Sequence, residues 1–348
     1  MRAFYTVIVV LLLARAPAFA ESGEAVALGE PVPVARRTAM PAALTSLTTH
    51  FADDQPGSYM SPYFVILHDT EPWRARSHAV LLERTHEQFF TRFQQAGFEL
   101  QPLTDRLVCL LFDSESRFAR YALRAEGMDL SWTGGYYSAR TNRVALYERG
   151  WPKRRPDTQE QEAFDRDDAP PAARLAVVEP TASDGRHDGL ASTIHEAAHQ
   201  LAFNTGLQTR GVMYPFWISE GLAISFETQR PSEPFGPGQP NPARLRDLRL
   251  AHAADQLLPL TRFVSLVRPP VDDPAMVPVA YAQAWGLFHH LFTRHPDALR
   301  AYLHRLAHLP PGRRTEAALL HEFTHAFGPI DTIEADWHAR LDTLADDE

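Results

Sequence analysis

Cysteine is almost missing from this chain: Cys109 is the only one in 348 residues. No disulfide can form within the chain, so its stability has to come from a packed core, helped if anything by a metal. Cys109 itself sits in the apolar run LVCLLF and reads as a buried, inert thiol. Long apolar runs are missing too. Beyond the first twenty residues nothing approaches the ~18 uninterrupted apolar side chains that a membrane-crossing helix requires. Positive charge is in deficit, with 34 Lys and Arg against 43 Asp and Glu and a net charge of −9. That balance argues against a nucleic-acid binder. No internal repeat is visible.

The first residues, MRAFYTVIVVLLLARAPAFA, combine a basic start at Arg2, a short apolar run and the small-residue signal Ala18-Phe19-Ala20. This pattern predicts a secretory signal peptide over residues 1–20 and an exported protein, periplasmic or secreted. Removal of Arg2 and Arg15 with that segment lowers the expected net charge from −9 to −11. No membrane span is expected after cleavage.

Residues 21–60 are rich in proline, alanine and small polar side chains and read as a linker or arm. YFVILHD and RLVCLLFDS are compact apolar runs of strand character, with a helical pattern between them and another after them. GGYYSARTNRVALYE reads as two short strands joined at residues 139–142. Residues 151–186 are charged and proline-rich, with strand character only in RLAVVE. Helical patterns dominate the rest, over 243–258, 281–294, 296–308, 315–327 and 332–344. Strands early and helices late predict an α+β fold, divided into a sheet-bearing unit at 61–228 and a helical unit at 229–348 that completes a cleft.

The chemistry is concentrated in TIHEAAHQLAFNTG, residues 193–206. His195 and His199 are four apart and therefore share one face of a helix, with Glu196 beside the first. Two stacked imidazoles and a neighbouring carboxylate supply two nitrogen ligands for zinc and a base for its water. Twenty residues separate His199 from Glu220, which stands in the apolar stretch WISEGLA. That interval leaves room for a second helix to return alongside and offer Glu220 as the third ligand.

The pattern occurs twice. His321-Glu322-Phe323-Thr324-His325 extends to Gly328 and Asp331, which has the spacing of a site with an aspartate as third ligand. Zinc endopeptidases of that kind also need a methionine-bearing turn further on, and no methionine follows Met276. Phe323 is also bulky where the first copy has alanine. The second copy therefore reads as an ordinary late helix.

At these residues the sequence resembles the gluzincin, or peptidase MA-like, superfamily, and most nearly a bacterial family catalogued as domain of unknown function 1570. The shared pattern is HEAAHQLAFNTG, then PFWISEGLA, then YAQAWGLF, with weaker likeness in YFVILHD, the GGYY hairpin and FGPIDTIEADW. The resemblance implies a zincin-like catalytic domain holding one Zn2+ per chain on His195, His199 and Glu220, with Glu196 as general base. It implies a peptidase acting on a peptide or protein substrate. It also puts a tyrosine at Tyr281, a candidate oxyanion donor whose competing reading is a core aromatic.

His289, His290 and His187 are weaker candidates for a role at the site. The Gly-x-Met-Glu-Asn motif of gluzincin aminopeptidases is missing, so aminopeptidase specificity does not carry over. Thermolysin-like enzymes place an orienting aspartate where this chain has Ile224; Asn204 and Ser225 are the remaining candidates for that task. Two other readings stay open, a non-catalytic metal-binding envelope protein and a zinc hydrolase of a non-peptide amide or ester. The oligomeric state is not legible.

Overall fold

The computed structural model describes residues 47–51, 56–148, 175 and 188–346, the side chains of 188 and 343–346 excepted. The signal-peptide reading and most of the proline-rich and charged segments lie outside the described residues.

The sheet is assembled from short strands that are apolar on both faces. β1 (Gly57–Met60), β2 (Phe64–His68), β3 (Leu107–Phe112), β4 (Gly135–Ser138) and β5 (Arg143–Tyr147) line up in the order β1-β2-β3-β5-β4. The central pairs β2–β3 and β3–β5 are parallel, and the outer pairs are antiparallel. Parallel strands need covered faces, and β2 is buried at every position. The helix α1 (Pro72–Gln95) crosses from β2 to β3, and α2 (Glu115–Glu126) follows β3. Alternate side chains of each strand point to opposite faces. Phe64, Ile66, Cys109, Leu111, Val144 and Leu146 therefore join the larger core with α1. Val65, Leu67, Leu110, Phe112 and Ala145 meet Phe118 and Tyr121 of α2 on the other face. Cys109 is buried, and burial pushes its thiol up to about 12, as an inert core residue requires.

The rest is helical: α3 (Asp188–Asn204), α4 (Phe216–Ile224), α5 (Pro242–Ala253), α6 (Leu260–Phe263), α7 (Met276–Arg294), α8 (Pro296–Ala307), α9 (Glu316–Phe327) and α10 (Ile330–Asp346). A mixed sheet followed by helices agrees with the α+β expectation. Three local expectations are corrected. Gly57–Met60 was read as part of an arm, yet it pairs with β2 as an antiparallel edge strand. Leu47 and Phe51 of the same arm are buried on the outer core, where Phe51 stacks on Phe112. The helix expected over 243–258 stops at Ala253, because Asp255 takes a positive φ of 53°. Of RLAVVE only Leu175 is described, and it is helical and buried rather than extended.

The core crosses position 228 without a break, since Ile194, Trp217, Leu248, Phe288 and Trp337 belong to one cluster. Gly221 is the closest point of that packing. A Cβ there would overlap the Ala284 carbonyl oxygen of α7, so only glycine lets α4 and α7 meet backbone to backbone. Among the described residues no helix is long and apolar enough to cross a membrane.

Candidate metal centre

α3 runs against the sheet and α1, with Leu190, Ile194, Ala197, Ala198, Leu201 and Ala202 all fully buried. Between the histidines the side chains are alanines, which lets neighbouring elements close in on that helix. Thr193 bonds its own helix at Gly189 O and approaches Nδ1 of the buried His78 on α1 at 3.3 Å. The helix ends at Asn204, with Gly206 in the left-handed region at φ 84°. The loop then turns back, and α4 lies against both α3 and α7.

This return brings Glu220 to the two histidines. His195 Nε2 stands 3.1 Å from His199 Nε2 and 3.4 Å from Glu220 Oε2, and His199 Nε2 stands 3.7 Å from Glu220 Oε1. Bonds of ~2.0 Å arranged tetrahedrally put neighbouring donor atoms about 3.3 Å apart. The triad thus has the dimensions of a site that holds one small divalent ion, and all three residues are buried. The orphaned atoms agree. Glu220 Oε2, Glu196 Oε2, His199 Nδ1 and the Tyr281 hydroxyl are buried without a hydrogen-bond partner among the described residues. Buried polar atoms lacking partners are rare unless a ligand or ion completes them.

Electrostatics point the same way. Burial alone would depress His195, but the Glu220 and Glu227 carboxylates that face its two ring nitrogens, with the charge of Glu196, outweigh it and push it up to about 10. In effect a proton sits where a cation is wanted. Burial and the His195 charge hold His199 far below the ordinary imidazole range, in the neutral form a ligand requires. Glu196 is pushed up to about 8, first by burial and then by the neighbouring Glu220, against the pull of His195. The Tyr137 backbone, on the edge strand β4, lies near enough to pull it down in turn. Tyr281 of α7 packs edge-on against Phe216, and burial followed by the charges of Glu220 and Glu196 raises its hydroxyl well above the phenol range. Tyr281 is thus buried like a core aromatic while its hydroxyl feels the site's carboxylates.

Neither orienting candidate from the sequence, Asn204 or Ser225, reaches the centre. Asn204 bonds Asn142 and the Gln200 carbonyl, and Ser225 donates to the Gly221 carbonyl. Glu227 occupies the role instead, accepting from His195 Nδ1 at 3.0 Å. Its second oxygen is gripped by Arg244 of α5 through Nη2 at 2.8 Å and Nε at 3.1 Å. Asn241 caps α5 and donates to the Ile224 and Glu227 carbonyls, which holds that pair in register. Such partners fix the imidazole's tautomer and direction. Sequence reasoning missed Glu227 and Arg244 because Glu227 lies beyond the end of α4 and Arg244 on a separate helix.

The second HExxH copy gathers nothing. His321 and His325 lie on the exposed side of α9, Glu322 pairs with Arg305, and Asp331 is exposed. Phe323, between those histidines, is fully buried against Trp217 and Tyr302. Among the weaker candidates, His289 is half-buried beside Trp285 and His290 is buried on the far side of α7. His187 lies outside the described residues.

The family model of DUF1570, described as a protein of unknown function, matches residues 189–312. The matched stretch contains His195, His199, Glu220, Glu227, Arg244 and Tyr281, and ends before α9. No curated protein matches the chain.

Proposed function

We propose that this protein is an exported zinc-dependent hydrolase of the gluzincin type, a peptidase that uses Glu196 as its general base. One observation carries the reading: two consecutive helices deliver His195, His199 and Glu220 into one buried cluster, with Glu196 Oε2, which has no hydrogen-bond partner among the described residues, beside it. When bound there, a zinc ion would supply the Lewis acidity that makes a water nucleophilic at neutral pH and polarises a scissile carbonyl. The other parts of the reaction belong to the chain. Glu196 accepts the proton of the attacking water and passes it to the leaving amine; a carboxyl titrating near neutrality suits both tasks. The Tyr281 hydroxyl, without another partner among the described residues, donates to the oxyanion. Glu227, held by Arg244, keeps His195 aimed.

A peptide is favoured as substrate by the position of β4. It is one of the two outer strands of the sheet among the described residues, and its Tyr137 backbone lies near Glu196. An extended chain laid along that edge would pass the general base. The test is Glu196→Gln, assayed on casein and on a peptide library with zinc counted in parallel. Loss of hydrolysis with zinc retained is expected. Hydrolysis at the wild-type rate sinks the assignment, and a zinc-loaded wild type that cleaves no substrate leaves a metal-binding protein on the same scaffold.

A further inference from the structure

A second cluster of donors lies on the opposite side of α7. Tyr281 and His290 are nine residues apart on that helix, about 13 Å along its axis and half a turn round it. While Tyr281 faces the first centre, His290 faces the corner where α7 gives way to α8 and where α10 comes back along the molecule. His295 caps that corner, and Asp336 projects from α10 between buried Ile333 and Trp337.

His290 Nε2 is 3.2 Å from Asp336 Oδ2, and His295 Nε2 is 3.5 Å from the same oxygen. Both values lie close to the ~3.3 Å that separates neighbouring donors around a tetrahedral zinc. All three ligand atoms fall within 4.8 Å of one another. The His290 side chain is only 3% exposed. Yet neither its Nε2 nor its Nδ1, nor His295 Nε2, finds hydrogen-bonding geometry among the described residues. Two Nε2 atoms that face one carboxylate oxygen without hydrogen-bonding geometry call for an ion or ordered water. Among the charges acting on His290, Asp336 weighs most, ahead of the opposing His295 and then Arg294. With Asp336 half exposed, the fourth position opens to solvent.

We propose that His290, His295 and Asp336 form a second metal site, for a borderline divalent ion such as zinc, that staples α10 to the α7–α8 corner. Two imidazoles and one carboxylate suit zinc better than magnesium or calcium, which take oxygen donors. The staple closes the chain end over the core in a protein that has no disulfide for the purpose. It does not depend on the first centre's being catalytic.

The experiment compares full-length wild type with Asp336→Ala and His295→Ala, each equilibrated with Zn2+ alone, desalted and counted by mass spectrometry. Both substituted side chains are part exposed, and far-UV circular dichroism checks that the fold survives. Each variant is expected to hold one zinc fewer per chain than wild type, and to show a smaller zinc-dependent rise in Tm. Equal zinc counts in wild type and both variants overturn the site. The first centre is intact in all three proteins, so the two readings separate. Two zincs falling to one supports both, one falling to none supports only the staple, and one throughout supports only the first centre.

Discussion

The chain carries HExxH on two helices, α3 and α9, with the same spacing and the same residue classes. On α3 both histidines and the glutamate are buried, a carboxylate from α4 closes on them, and a Glu227–Arg244 pair stands behind. On α9 the face bearing His321 and His325 is turned to solvent, and the residue between them is the one that enters the core. Helical spacing aligns two imidazoles equally well in both places. What differs is which side of the helix is apolar. In α3 the apolar side chains surround the histidines, so burial desolvates the donors and brings a third one within reach. In α9 the apolar stripe runs through Phe323, so the histidines stay in water, where a pair of exposed imidazoles holds a metal weakly.

The comparison can be broken by matched substitutions. Glu196→Gln is expected to lower kcat by a factor of about 10² to 10⁴, whereas Glu322→Gln, its counterpart on α9, leaves peptide hydrolysis within about twofold. Equal effects in the two variants would erase the distinction drawn here. The stability contrast runs the other way. Phe323→Ala removes a fully buried ring packed on Trp217 and Tyr302, at a cost of about 3–5 kcal/mol in denaturant unfolding. A loss below about 1 kcal/mol would mean that α9 is not anchored through that position.

Glu227→Gln tests the support behind the first copy. Zinc affinity at His195, His199 and Glu220 is expected to fall about 10- to 100-fold by competition with a chelator. An unchanged affinity would make the Glu227–Arg244 pair structural only. The smallest effect concerns acid. Burial holds His78, which contacts Thr193 of α3, down at about 3 against an ordinary value of 6.5. The unfolded chain therefore takes up a proton below 6.5 that the folded chain refuses until about 3. Its contribution is complete above the unfolded pKa and is lost as pH falls, by about 1.4 kcal/mol per pH unit. His78→Asn should flatten the unfolding free energy between pH 6 and 4 by about that slope, and parallel curves for the two proteins would refute the assignment.

Much of the fold was legible because its elements are locally patterned. The strands around Cys109 and the Tyr136–Val144 hairpin show compact apolar runs with turn residues between them, and α7 to α10 show helical spacing within a residue or a few of their ends. β1 was not legible: Gly57–Met60 is mostly exposed, and only its backbone pairing with β2 makes it a strand. At the site, His195, His199, Glu196 and Glu220 could be singled out because spacing and apolar framing both mark them. Glu227 and Arg244 could not, since an irregular turn and a separate helix bring them together.

The sequence alone determined the donor types, their alignment on one helical face and the absence of any covalent staple, since these follow from residue identity and the 3.6-residue turn. Tertiary structure decided which HExxH copy is enclosed, which carboxylate steadies His195, and that His290, His295 and Asp336 meet at all. Those outcomes depend on which helix faces share one apolar core, and that is settled only when every element competes for the same buried volume.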